Sequence, residues 1–138
     1  MGTTYVKSER IVSVDNFGAI GDGNTDDTSA IQSALDSGKR QLILTPGKIY
    51  GVSSITVPSG VTLSMDNAVM KKISGGSPVV TLRDSAKILG GEIDGNSISA
   101  TGINLTTNEN GQEVINVYIH NVGTTTGHKG ISSTQNND

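Results

Sequence analysis

The side chains able to do chemistry in this chain fall into a few small groups. Asp22, Asn24 and Asp26 have the D-x-N-x-D spacing that opens a calcium loop. Asp27 stands where that loop needs glycine, and Ser33 stands where it needs its closing glutamate. The acidic run therefore reads as turn formation and helix capping, not metal binding. A dinucleotide reading also fails: Gly21 and Gly23 precede a helix, but Asp26 holds the third glycine position and would repel pyrophosphate. Glu92 and Asp94, neighbours on one strand, are expected to project to opposite faces and so not to act across one bond. Glu109 and Glu113 read as solvated loop charges. His120 ends a strand and His128 lies in a loop, with no third ligand suggested by spacing. No catalytic, metal or cofactor site is expected. Lys71 and Lys72 read as a solvated face that Lys87 would extend into a small polyanion-binding ladder. These lysines are the weak candidates for contact with a glycan.

The elements that must position these residues begin with the stretch from Asn16 to Leu35. It reads as a short strand, a tight Gly/Asp turn and an amphipathic helix from Thr28 to Ser37. Gly18, Gly21 and Gly23 fit backbone angles that a Cβ forbids. Asp22 shapes the turn with them, while Asp26 and Asp27 supply acceptors for the first helical N–H groups. Ala30, Ile31, Ala34 and Leu35 share one helical face, and Gly38 stops the helix.

From Gln41 onward the pattern is short strands separated by Gly, Pro, Asn or Asp. A repeat appears near the end. Gly102, Ile103, Thr106 and Asn108 recur as Gly130, Ile131, Thr134 and Asn136 at an interval of 28 residues, about one coil of a stacked β structure. Between them, residues 114–122 alternate as one strand, with Ile115, Val117 and Ile119 expected inward, or the opposite register, since Val114 and Val122 are apolar too.

Composition narrows the function classes. With 33% hydrophobic and 3% aromatic residues, the 138-residue chain cannot build a thick aromatic core, but stacked β coils need none. A net charge of −3 argues against nucleic acid, which demands a basic patch. Zero cysteines exclude disulfides and thiolate metal sites. No apolar run reaches membrane-spanning length, so no membrane insertion is expected, and the N-terminus lacks the apolar core of a signal peptide.

The run Phe17-Gly18-Ala19-Ile20-Gly21-Asp22-Gly23-Asn24-Thr25-Asp26-Asp27, followed by Ala30-Ile31-Gln32-Ser33-Ala34-Leu35, resembles the N-terminal signature of the pectate-lyase superfamily. That group includes polygalacturonase-like glycoside hydrolases and bacteriophage tailspike or appendage proteins. The segment Gly91-Glu92-Ile93-Asp94-Gly95 and the coil repeats carry the resemblance from about Val12 to the end. It implies an all-β fold: a short right-handed parallel β-helix capped at its N-terminal end by one α-helix. Residues 1–10 are expected as a linker or arm, and residues 11–138 as one β-helix domain or part of a longer one. The implied function is a structural and binding segment of a virion tailspike or appendage. Its expected partners are host-surface or cell-wall polysaccharide and two further copies of itself in a homotrimer. The alternative is the N-terminal part of a polysaccharide lyase or glycoside hydrolase whose catalytic residues lie beyond this chain.

Overall fold

A computed structural model describes residues 11–76, 78–98, 101–106, 110–123 and 129–133. The expected arm at residues 1–10 lies outside them, as do Asn108, Glu109, His128, Thr134 and Asn136. The described strands wind into a parallel β-solenoid of about four turns with a single α-helix. The first pass holds β1 (Val12–Ser13), a 3-10 turn (Val14–Phe17), β2 (Asp22–Asp26) and α1 (Thr28–Leu35). The second holds β3 (Gln41–Ile43), β4 (Ile49–Val52) and β5 (Ile55–Val57). The third holds β6 (Thr62–Ser64), β7 (Val69–Lys72) and β8 (Val80–Leu82), and the fourth β9 (Lys87–Leu89), β10 (Glu92–Asp94) and β11 (Thr101–Leu105). The last holds β12 (Glu113–Ile115), β13 (Tyr118–His120) and β14 (Lys129–Ser133).

These strands stack into three parallel sheets, ordered β1-β3-β6-β9-β12, β2-β4-β7-β10-β13 and β5-β8-β11-β14. Each sheet contributes inward columns held in register from coil to coil. Leu42, Leu63, Ile88 and Val114 form one, and Tyr50, Met70, Ile93 and Ile119 another. Ile55, Val80 and Ile103 form a third. The central members of each column are buried. The connection from the second sheet to the third is two residues at 53–54, then seven at 73–79, six at 95–100 and eight at 121–128.

The 28-residue repeat matches the ladder, since Ile103 pairs with Ile131. The single strand expected over residues 114–122 is instead two. Asn116 takes φ 55° and turns the chain onto another sheet. Val114 therefore points inward, opposite Ile88, and Ile115 is exposed. Val117 and Ile119 do pack against the core.

The opening motif also differs locally. Residues 22–26, expected as a turn, form β2 and pair irregularly with β4, although Gly18, Gly21 and Gly23 have the expected positive φ. Helix α1 ends at Leu35 and buries Ile31, Ala34 and Leu35 against the first coil. Asp26 Oδ1 accepts from the N–H of Thr28, the first helical residue, at 3.0 Å, from one position before the N-cap. Asp27 does not cap. Its buried carboxylate turns back to accept from the N–H groups of Ile20 (2.8 Å) and Gly21 (3.0 Å), fastening the loop before β2.

The helix also occupies the place of a strand beside β5. The Gln32 amide accepts from the Thr56 N–H and donates to the Thr56 carbonyl, both at 2.9 Å. Thr28 Oγ1 accepts from the Ser53 N–H at 2.8 Å, and the Asp27 N–H donates to the Gly51 carbonyl. A second polar node ties the first pass to the next. Asp15 accepts from the Tyr50 hydroxyl (2.7 Å), Thr45 hydroxyl (2.7 Å) and Lys48 ammonium (2.8 Å). Burial pushes its pKa up, but the Lys48, Thr45 and Tyr50 donors outweigh burial and hold it below 3.8. Among the described residues, no helix is long and apolar enough to cross a membrane.

Gln32→Ala should orphan both Thr56 backbone groups and lower unfolding free energy by about 1–3 kcal/mol in urea titrations. Exposed Ser33→Ala should stay within about 0.5 kcal/mol of wild type. Because the folded-state pKa of Asp15 is depressed, its contribution is complete above about pH 4 and lost as pH falls through that folded value. The urea midpoint should hold from pH 7 to about 5 and fall steeply towards pH 2. Asp15→Asn should start lower and fall less steeply.

Candidate functional site

The second sheet presents its outer face through β7, β10 and β13. On a strand, residues two apart share a face. Inward Ile93 therefore leaves both Glu92 and Asp94 pointing out, which corrects the expectation of opposite faces. Register then aligns two outward rows: Val69, Glu92 and Tyr118, and beside it Lys71, Asp94 and His120.

Several of these side chains hold one another. His120 Nε2 and Glu92 Oε1 form a hydrogen-bonded pair between neighbouring coils. The Tyr118 and His120 rings stack at 4.9 Å and 18°, and Tyr118 is 65% exposed. Asp94 Oδ1 accepts from the Asn96 N–H (2.8 Å) and the Asn121 side-chain amide (3.0 Å). An imidazole bonded to a carboxylate can relay a proton, and a fixed exposed ring can accept a flat apolar ligand face.

A cleft of about 550 Å³ adjoins these rows at the corner between the first two sheets. Its origin is a change in corner length. Residues 65–68 separate β6 from β7, but only Gly90–Gly91 separate β9 from β10, and residues 116–117 separate β12 from β13. The longer corner stands proud of the two shorter ones. Gly90 and Gly91 are required there: both have positive φ, and added Cβ atoms would lie 1.8 Å from Asp66 Oδ1 and 2.2 Å from the Met65 carbonyl. Asp66, Asn67, Glu92, Asn116 and Tyr118 supply the polar and aromatic lining.

The three lysines are not brought together. Lys71 is on the outward face just described. Lys87 lies on the first sheet, where it pairs with Glu113 at 3.4 Å. Lys72 is not a solvated residue at all. It occupies an inward position opposite Val52, fully buried, and its ammonium donates to the Ser53 and Gly76 carbonyls, with the Pro78 carbonyl 3.5 Å away. Burial pushes its pKa below 10.5. Glu113 belongs to β12, not to a loop.

The acidic motif is committed to its own backbone. Asp22 accepts from the Thr25 N–H and hydroxyl, both at 2.7 Å, and from the Asn24 N–H at 2.9 Å, which lowers its pKa to about 2. Among the described residues, no three His, Asp or Glu side chains gather as a metal site. The outward site was missed because it is assembled between coils. Its available signals were the paired i, i+2 spacings, Glu92/Asp94 and Tyr118/His120, and the 28 residues from Glu92 to His120.

No protein-family model matches the chain. Two curated relatives are similar over part of it. A capsule K30/K69-specific depolymerase of Klebsiella phage K64-1 is 47% identical over 47 residues, 33% of this chain. Depolymerase 1, also capsule K30/K69-specific, of Klebsiella phage K5-2 is 39% identical over 51 residues, 36% of this chain. Each match spans only 6% of the relative's length. Among solved structures, PfbA, a surface adhesin of Streptococcus pneumoniae, superposes with a TM-score of 0.59 at 18% identity, over 80% of this chain and 38% of its own. A putative glycosyl hydrolase from Parabacteroides merdae superposes with a TM-score of 0.61 at 21% identity, over 90% and 80% of the two chains. Both structural likenesses establish the fold.

Lys72→Ala should remove a fully buried side chain together with its bonds to the Ser53 and Gly76 carbonyls and destabilise the protein by about 1–3 kcal/mol, measured by urea unfolding. Lys71→Ala, on the outer face, should change stability by no more than about 0.5 kcal/mol.

Proposed function

We propose that this chain is a structural, glycan-engaging β-helix segment of a phage tailspike or appendage, assembled as a homotrimer and directed at host-surface polysaccharide. The observation that carries this reading is the local identity to two phage depolymerases whose names specify capsule types. A solenoid with an exposed tyrosine beside a polar cleft suits such a role, because an extended polymer can lie along stacked coils and contact several at once. The same reading implies a virion location.

A second reading keeps the chain as part of a polysaccharide-degrading hydrolase or lyase. The specific observation in its favour is that Glu92, Asp94 and His120 share one outward face, since glycosidic cleavage uses paired carboxylates.

The test is to measure solution mass by light scattering and then binding to purified Klebsiella K30 and K69 capsule, with reducing-end release followed in parallel. A mass near three times the 14.2 kDa chain, binding, and no new reducing ends are expected. New reducing ends would move the assignment to the enzymatic reading, and absence of capsule binding would overturn the glycan-engaging role.

A further inference from the structure

We propose that the corner cleft is a subsite for an uncharged sugar unit, with Tyr118 as its stacking platform and Glu92 and His120 as the residues that position that platform. The inference rests on the glycan-engaging role and adds the chemical class of the unit bound.

Size and lining support a single ring. About 550 Å³ falls within the usual range for small-ligand sites. Tyr118 offers an exposed aromatic face to the apolar C–H side of a pyranose. Around it, the Asp66 and Glu92 carboxylates can accept hydroxyl protons in charge-assisted hydrogen bonds, and Asn67 and Asn116 add amide donors and acceptors.

Charge selects the class. The cleft is lined by two carboxylates and by no lysine, arginine or histidine. Lys71 sits outside that lining, in register with Asp94. A uronate, sulfate or phosphate group would thus meet like charge with no lysine or arginine in the lining to offset it, whereas a neutral hexose would not.

The platform is fixed before the ligand arrives. Glu92 holds His120, and the His120 ring lies against Tyr118 at 4.9 Å, so little ring freedom remains to be lost on binding. All three residues come from two adjacent coils, and the Gly90–Gly91 corner brings Asp66 of the coil before them against the same cleft.

The experiment is calorimetric titration of the full chain with hexasaccharides of the malto-, cello- and galacto- series and with hexagalacturonate, alongside K30 and K69 capsule. At least one neutral hexasaccharide should bind and hexagalacturonate should not. Tyr118→Ala should weaken that binding about tenfold, and Tyr118→Phe should retain it. His120→Ala should weaken it about threefold while broadening the Tyr118 ring signals in NMR, a change that a purely structural role elsewhere would not give. Unchanged far-ultraviolet circular dichroism serves as the folding control for these outward positions. Binding of hexagalacturonate, absence of binding by every neutral sugar, or a Tyr118→Ala affinity equal to wild type would each overturn the subsite. Capsule binding that persists in any of those cases leaves the glycan-engaging role standing. Loss of all binding defeats both.

Discussion

A parallel solenoid depends on what it does with the backbone at the rim of its first coil. Every inner strand is hydrogen-bonded on both sides, but the first coil would leave a row of N–H and C=O groups open to another chain. Here the third sheet starts at β5, and helix α1 covers its free edge with side chains in place of a strand. Gln32 supplies both a donor and an acceptor to Thr56, reproducing with one amide what a neighbouring peptide group would offer. The apolar face of the same helix seals the core beneath. Helix and coil therefore hold each other in place, and the inward columns can begin at a defined height.

Once that height is set, register propagates. Parallel pairing forces each coil to repeat the orientation of the one before, so Leu42, Leu63, Ile88 and Val114 must all suit the same interior. The constraint also explains Lys72. Its position is inward by register, so its ammonium is directed to the Ser53 carbonyl in the short connection after β4 and to the Gly76 carbonyl in the longer one after β7. Outer positions are under no such demand. The site on the second sheet arises there, from rows that contact solvent on one side and take their spacing from the core on the other.

Much of this was legible in the sequence. The apolar pattern, the glycine-rich opening and the 28-residue interval specify a capped β-helix, because stacking leaves a direct imprint on inward residues. Corners leave a weaker imprint. Asn116 does not distinguish a bend between sheets from a polar residue facing out along one strand, so Val114 and Ile115 exchanged roles. Asp27 shows the same limit at short range. Its carboxylate faces a choice between helix N–H groups ahead and loop N–H groups behind, and only the folded geometry favours Ile20 and Gly21. The contact of Glu92 with His120 lies further from view, since it requires knowing which coil residue stands above which.

The connections that leave the second sheet grow from two residues to as many as eight, while the strands they join keep strict register. Their length thus differs from coil to coil while the strand register does not. The outline of the margin beside the outward face is set by these connections, whereas the spine is set by the inward columns. Lys72 ties one connection back to the core through the Gly76 carbonyl. The shape of the outward face is in that sense drawn by the connections upon a grid that the core has already ruled.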